Sequence, residues 1–234
     1  MDLKNAKIVL TGGSSGLGKA MAKMLIDKGA QVIITGRDQE KLLEVASELG
    51  AIPFQADVSV QADVNATYAF CEEKLGGLDV LINNAGIGTK RDTIDELDVE
   101  DMIQLYQVNV FGAVRMAKVA AQIFRKQKSG NIINIASTAA LKGYEGGSIY
   151  SSSKFALRGL SMSWQAELRR DNVRVFNINP SYVPTAFNQP ERKERDLEEN
   201  KLTPDQIAHA VVAALEMDDR GYIPELSVHA TNPF

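Results

Sequence analysis

Tyr150 and Lys154 stand four residues apart in "GGSIYSSSKFALRG" (Gly146–Gly159), with only serines between them. On a helix that spacing puts phenol and ammonium on one face. A free tyrosine, with a pKa of about 10, is a willing acid and a poor base at neutral pH. A neighbouring ammonium favours the phenolate, so Lys154 is expected to lower that pKa by the equivalent of roughly 3–4 kcal/mol. The pair would then exchange a proton with a carbonyl/alcohol couple, and the long stem of Lys154 would also reach ribose hydroxyls. The plain alternative is a surface Tyr/Lys contact worth a few tenths of a kcal/mol.

Such a pair needs a scaffold. Short β-branched runs alternate with helical patterns: "KIVLT", "QVIIT", "AIPFQAD", "LDVLINNAG", "GNIINIAS", "NVRVFNINP" and "GYIPELSV" read as strands. Among the intervening segments, Leu97–Lys128 and Tyr150–Arg170 read as long helices. The strands are apolar and hardly alternate, as expected where helices cover both faces of a parallel sheet. About seven strands with right-handed crossovers predict an α/β, Rossmann-type, doubly wound sheet. Gly29, Gly50, Gly76 and Gly130 are expected as helix C-caps. No linker interrupts residues 1–234, so one domain is expected, with a small substrate-loop region at about 184–202. The charged "NQPERKERDLEENK" (Asn188–Lys201) reads as a solvated segment or a lid.

"TGGSSGLG" (Thr11–Gly18) follows the first strand and opens the first helix. Gly12, Gly16 and Gly18 would let the backbone turn and approach a pyrophosphate, with Leu17 in the same turn and Ser14 and Ser15 adding hydroxyls. A triphosphatase loop is disfavoured, because Ala20 stands where a magnesium-holding Ser or Thr is needed. At the exit of the second strand, Arg37 suits a 2′-phosphate, so NADP(H) is favoured over NAD(H). Asp38 next to it would serve a ribose or cap the following helix. Ser137, after the fifth strand, would hydrogen-bond a carbonyl oxygen as charge builds on it; Thr138 is the other cleft candidate, with Ser137 then a cap. Asn109, inside a helical stretch, would satisfy a nearby backbone group or hold a water that relays protons to Lys154.

Together "TGGSSGLG", "NNAG" (Asn83–Gly86), Ser137 and Tyr150-x3-Lys154 resemble the short-chain dehydrogenase/reductase family over essentially the whole chain. The resemblance implies an oxidoreductase moving hydride between a nicotinamide and a carbonyl/alcohol pair, with Asn109, Ser137, Tyr150 and Lys154 as its catalytic tetrad. It implies adenine contacts by Asp57, flanked by Val58; a helix N-cap is the other reading of Asp57. Asn84, Ala85 and Gly86 would leave room for the cofactor, and Asn83 would tie strands together. Val183 and Thr185 would hold the nicotinamide carboxamide, although Ser181 replaces the glycine usual in "NPSYVPTAF". Dimers or tetramers built through the two long helices are also implied. Ala139, Leu141, Tyr144, Tyr182 and Phe187 suggest an apolar, partly aromatic pocket for a small ketone, 3-hydroxy acid or acyl group. A non-catalytic dinucleotide sensor on the same fold is the rival reading, and an intact tetrad argues against it.

The 234 residues carry a net charge of −4 and no Lys/Arg run, which disfavours nucleic acid as a partner. Apolar stretches are too short for a membrane span, and "MDLKNAKIVL" enters a strand without a signal peptide. One cysteine, Cys71, precludes an internal disulfide and fits a reducing cytoplasm, where it would pack within a helix. The two histidines, His209 and His229, have no companion ligand or nucleophile, so neither a metal centre nor a Ser-His-Asp hydrolase is expected.

Overall fold

A computed structural model describes residues 1–187 and 195–233. Seven strands form one parallel sheet in the order β3-β2-β1-β4-β5-β6-β7. They are β1 (Lys7–Thr11), β2 (Gln31–Gly36), β3 (Ile52–Gln55), β4 (Val80–Asn83), β5 (Gly130–Ile135), β6 (Val173–Pro180) and β7 (Glu225–Val228). The helices are α1 (Gly16–Asp27), α2 (Gln39–Leu49), α3 (Gln61–Leu75), α4 (Val99–Tyr106), α5 (Ala113–Gln127), α6 (Ser148–Leu168) and α7 (Pro204–Glu216). The order reverses direction between β1 and β4, and ligand crevices of open α/β sheets lie at that kind of switch, at the strands' carboxyl ends.

Strand side chains alternate between two buried layers. Ile8, Leu10, Ile34, Ile82, Ile133 and Phe176 pack under α1, α2 and α7. Val9, Ile33, Leu81, Ile132 and Val175 face α3 and α5, with Cys71 and Leu168 in the same layer. Near the carboxyl ends of β4 to β6 this second layer changes from aliphatic to amide. Asn83 donates to Asn134 (2.9 Å), Asn134 to Ser161 (2.8 Å), Asn177 to Asn179 (2.8 Å) and Asn179 to Glu225 (2.8 Å). Arg158 closes the row with a two-pronged contact on Glu225, at 2.7 and 3.0 Å. Asn83 thus ties strands, as its position suggested.

The structure revises three local readings. The stretch expected as one helix over Leu97–Lys128 is α4 and α5 joined by a π-helical segment, Gln107–Gly112, where the backbone admits an extra residue. The expected helix Tyr150–Arg170 begins at Ser148 and ends in a 3-10 turn, Arg169–Asp171. Gly50 and Gly76 are left-handed C-caps and Gly29 follows Lys28 with φ 87°, whereas Gly130 is the first residue of β5. Lys128 takes the left-handed position that ends α5; Gly130 is glycine because a Cβ there would meet the Phe124 ring at 2.2 Å. Of the charged stretch and substrate loop, residues 188–194 lie outside the described residues. Beyond them, Arg195 sits over the Tyr182 ring and contacts Glu198 (3.4 Å), to which Tyr182 donates at 3.2 Å. Among the described residues no helix is long and apolar enough to cross a membrane.

Candidate active site

One cavity of about 1010 Å³ runs along the carboxyl edge of the sheet. It is lined at one end by Arg37, Asp57 and Val58, then by the glycine loop, Asn84–Gly86 and Ser137, and at the other end by Tyr150, Lys154, Val183 and Thr185. The expected catalytic and cofactor-binding residues line it except Asn109, which is buried behind the wall, and Asp38, the other ribose candidate, which is not part of the lining. Ala139, Leu141, Tyr144, Tyr182 and Phe187 line its β5–β6 end, and the Phe187 ring lies 5.8 Å from that of Tyr150.

The serines between Tyr150 and Lys154 serve close packing. Ser151 donates to the carbonyl of Ala139 (2.6 Å), clamping α6 to the 3-10 turn Thr138–Ala140 that follows β5. Ser153 donates to the carbonyl of Tyr150 (2.7 Å) and accepts from Asn109 Nδ2 (3.4 Å). Ser137 caps the 3-10 turn by accepting from the amide of Ala139 (3.1 Å), and its hydroxyl is near enough to the Tyr150 phenol to bear on its pKa. Capping and cleft-facing roles therefore coexist in Ser137, and Thr138 lines the cavity beside it.

The electrostatics differ from the expectation. Burial pushes the Tyr150 phenol up to about 12, the Ser137 hydrogen bond pulls the other way, and the Tyr144 phenol adds to the rise. Any pull from Lys154 does not offset that burial. Its ammonium, 5.7 Å from the Tyr150 ring centre, donates to the carbonyl of Ile135 at 3.0 Å. Burial also pushes Lys154 down to about 8, still protonated at neutral pH. The reason is desolvation: both groups leave water, and each then favours its neutral form.

Asn109 lies in the π segment, where its amide grips Ile87 twice: Oδ1 accepts from the Ile87 amide and Nδ2 donates to its carbonyl, each at 2.8 Å. Of its two readings, this geometry fits the backbone tether. Asn84 holds the glycine loop, donating to the carbonyls of Thr11 (3.0 Å) and Gly12 (2.9 Å). Thr11 accepts the amides of Asn84 and Ala85, both at 3.0 Å, a role the sequence did not reveal. Asp38 caps α2 by accepting from the amide of Lys41 (3.1 Å), the second of its two readings. Asp57 accepts from the amide and hydroxyl of Ser59, while Val60 occupies the N-cap of α3. Ser181 needs no left-handed backbone, and its amide donates to Val228 (2.8 Å), so the missing glycine costs nothing here.

The glycine loop fits a diphosphate. Gly12 and Gly16 have φ of 67° and 49°, and a Cβ on Gly18 would stand 2.0 Å from the Gly12 carbonyl. The Ser15 side chain does not cap α1 and the helix's first turn holds no acid, so its dipole favours an anion at the cavity wall. His229, Lys90, Arg91 and Lys142 also line the cavity, and no periodic or motif signal marks them in the sequence.

Comparison with known proteins agrees with this geometry. The short chain dehydrogenase family profile matches residues 6–196. An uncharacterized oxidoreductase of Staphylococcus aureus (strain MRSA252) is 33% identical over 229 residues, covering 94% of this chain and 95% of its own. Among solved structures, a serine dehydrogenase in closed form with NADP+ is 28% identical with a TM-score of 0.87, covering 94% of this chain and 93% of that one. A 3-ketoacyl-(acyl-carrier-protein) reductase from Brucella melitensis with NADH is 27% identical with a TM-score of 0.88, covering 99% and 100%. The fold and site define an oxidoreductase built on a nicotinamide-binding α/β sheet. The chain belongs to the short-chain dehydrogenase family.

Proposed function

We propose that the protein is an NADP(H)-dependent oxidoreductase acting on a carbonyl/secondary alcohol pair of small ketone, 3-hydroxy acid or 3-oxoacyl type. The observation that carries this is Tyr150, with Ser137 and Lys154 beside it, opening into the same cavity as the glycine loop. A nicotinamide cofactor, when bound, supplies or accepts the hydride. Gly12, Gly16, Gly18 and the N-terminus of α1 would take its diphosphate, with Ser14, Ser15 and Leu17 in the same turn. Val58, Ala85, Gly86, Val183 and Thr185 would shape the walls, and Asp57 would meet the adenine. Ser137 donates a hydrogen bond to the substrate oxygen, and Tyr150 gives that oxygen its proton. Lys154, a buried cation one turn along, binds ribose and supports charge developing beside the phenol. Asn109 is a positioning residue, holding Ile87 and the β4 exit.

A phenol pushed up to about 12 holds its proton throughout the neutral range, so Tyr150 would enter a carbonyl reduction as the acid. Arg37 lines the cavity beyond β2 with its guanidinium half-exposed, 4.0 Å from Asp57, and Asp38 is engaged in capping; both favour a 2′-phosphate over a bare ribose. The test is turnover of NADPH and NADH with a panel of carbonyls, wild type against Tyr150→Phe. A loss of about 10²–10⁴-fold is expected in the variant, with NADPH preferred. Equal rates would instead favour a dinucleotide sensor, and an NADH preference would sink the cofactor assignment.

Exposed Val99, Ile103 and Phe111 on α4 and the π segment, and Phe155 and Met162 on α6, support assembly through these helices. Light scattering at micromolar concentration should give a dimer or tetramer; a monomer would end that idea.

A further inference from the structure

The cavity is lopsided in charge, although the chain as a whole is acidic. Among the described residues lining it, Asp57 is the one carboxylate, and it sits at the β2–β3 end. The β5–β6 end, around Tyr150, carries Lys90, Arg91, Lys142 and Arg195. Two of these are already neutralised, Lys90 by Asp92 (3.1 Å) and Arg195 by Glu198 (3.4 Å). Arg91 and Lys142 have no carboxylate partner among the described residues.

Arg91 is also held in place. Its guanidinium lies 5.5 Å from the centre of the Tyr144 ring, a cation–π arrangement that orients the fork and leaves its N–H groups for another partner. Two consecutive glycines make room for this stack. Gly146 has φ 70°, and a Cβ there would stand 2.9 Å from Arg91 Cβ. A Cβ on Gly147 would stand 2.7 Å from the Tyr144 ring. Gly147 is also the N-cap of α6, so the Arg91–Tyr144 stack abuts the helix turn that carries Tyr150. The Tyr144 phenol is close enough to Tyr150 to raise its pKa.

We propose that Arg91, oriented by Tyr144 and assisted by Lys142, recognises a carboxylate on the substrate, so that the favoured substrates are oxo acids and the matching hydroxy acids. This rests on the function proposed above and names its substrate class. A planar, two-pronged guanidinium matches a carboxylate better than a point charge would. The carbonyl sits at Ser137 and Tyr150, and the carboxylate lies a few bonds away at the cavity mouth.

The test compares 2-, 3- and 4-oxo acids with their methyl esters, pair by pair, at low and high salt. For the best pair, kcat/KM should favour the acid by about 10-fold or more, and the preference should shrink with salt. Arg91→Ala should reduce the acid/ester ratio by about 10-fold, chiefly through KM, and Arg91→Lys should restore part of it. Esters reduced as well as acids, or a ratio indifferent to Arg91→Ala, would overturn the assignment. Neutral ketones reduced while every acid is refused would overturn it too, leaving the oxidoreductase reading intact. No carbonyl reduced at all would sink both.

Discussion

Among the described residues two cations are buried, at opposite ends of the same sheet, and they are treated in opposite ways. Arg174, at the amino end of β6, is saturated: it donates to Asn131 Oδ1 (2.8 Å) and to the carbonyls of Leu215 (3.3 Å), Met217 (3.2 Å) and Gly221 (3.4 Å). Asp219 lies 3.5 Å away. Lys154, at the carboxyl end of β5, has among the described residues one hydrogen-bond acceptor, the Ile135 carbonyl, and no carboxylate. Burial lowers both pKa values, but a guanidinium stays charged regardless, whereas Lys154 falls to about 8. A satisfied buried charge is architecture. An under-satisfied one at a cavity wall is a cost that the fold carries for chemistry.

The largest expected effect would break this comparison outright. Lys154→Met should cut turnover by about 10²–10³-fold, because it removes the fixed positive charge beside the phenol. The same variant should unfold at a higher temperature than wild type, since it relieves a desolvated ammonium. Thermal melts with unchanged turnover, or lost turnover with a lowered melting point, would each contradict the contrast. Arg174→Met should behave in reverse, losing about 2–3 kcal/mol in urea unfolding as several oxygens lose their donor, while turnover per folded molecule is kept.

A smaller effect sharpens the contrast through pH. The folded-state pKa of Lys154 is depressed below its ordinary 10.5, so above about 8 the unfolded chain binds a proton that the folded chain has released. Its unfavourable contribution is therefore complete below about pH 8 and fades as pH rises toward 10.5. Wild-type stability relative to Lys154→Met should gain about 1–2 kcal/mol between roughly pH 8 and pH 9.5. A flat difference over that window would mean that Lys154 is better solvated than its burial implies.

The strands were legible because their apolar runs must be covered on both faces, and the glycine loop because its backbone excludes side chains. Tyr150-x3-Lys154 was legible as a shared helical face. Its electrostatics were not: spacing reveals that two groups are neighbours, while only the packed structure shows that both have left water and that the ammonium turns to Ile135. The π segment was hidden for a similar reason. Within it Gly112 lies where a Cβ would meet Val58 at 2.7 Å, a close approach between distant parts of the chain that no local pattern reports. Gly130 was misread because Lys128, with φ 56°, accepts the left-handed turn that glycine usually takes. Arg91 left no trace, since its significance comes from Tyr144 and two glycines more than fifty positions later.

The file of asparagines from Asn83 to Asn179 has a consequence for how the sheet chooses its alignment. Aliphatic residues grip one another almost equally well after a slip, so a wall of Val and Ile says little about which partner faces which. Amides do not forgive displacement: moving β5 or β6 by one position would swing Asn134 or Asn177 into the oily layer under α1 and strand its neighbours. The ladder therefore acts as an alignment mark, setting β4 through β7 at one offset and with it the height at which Ser137 and Tyr150 meet.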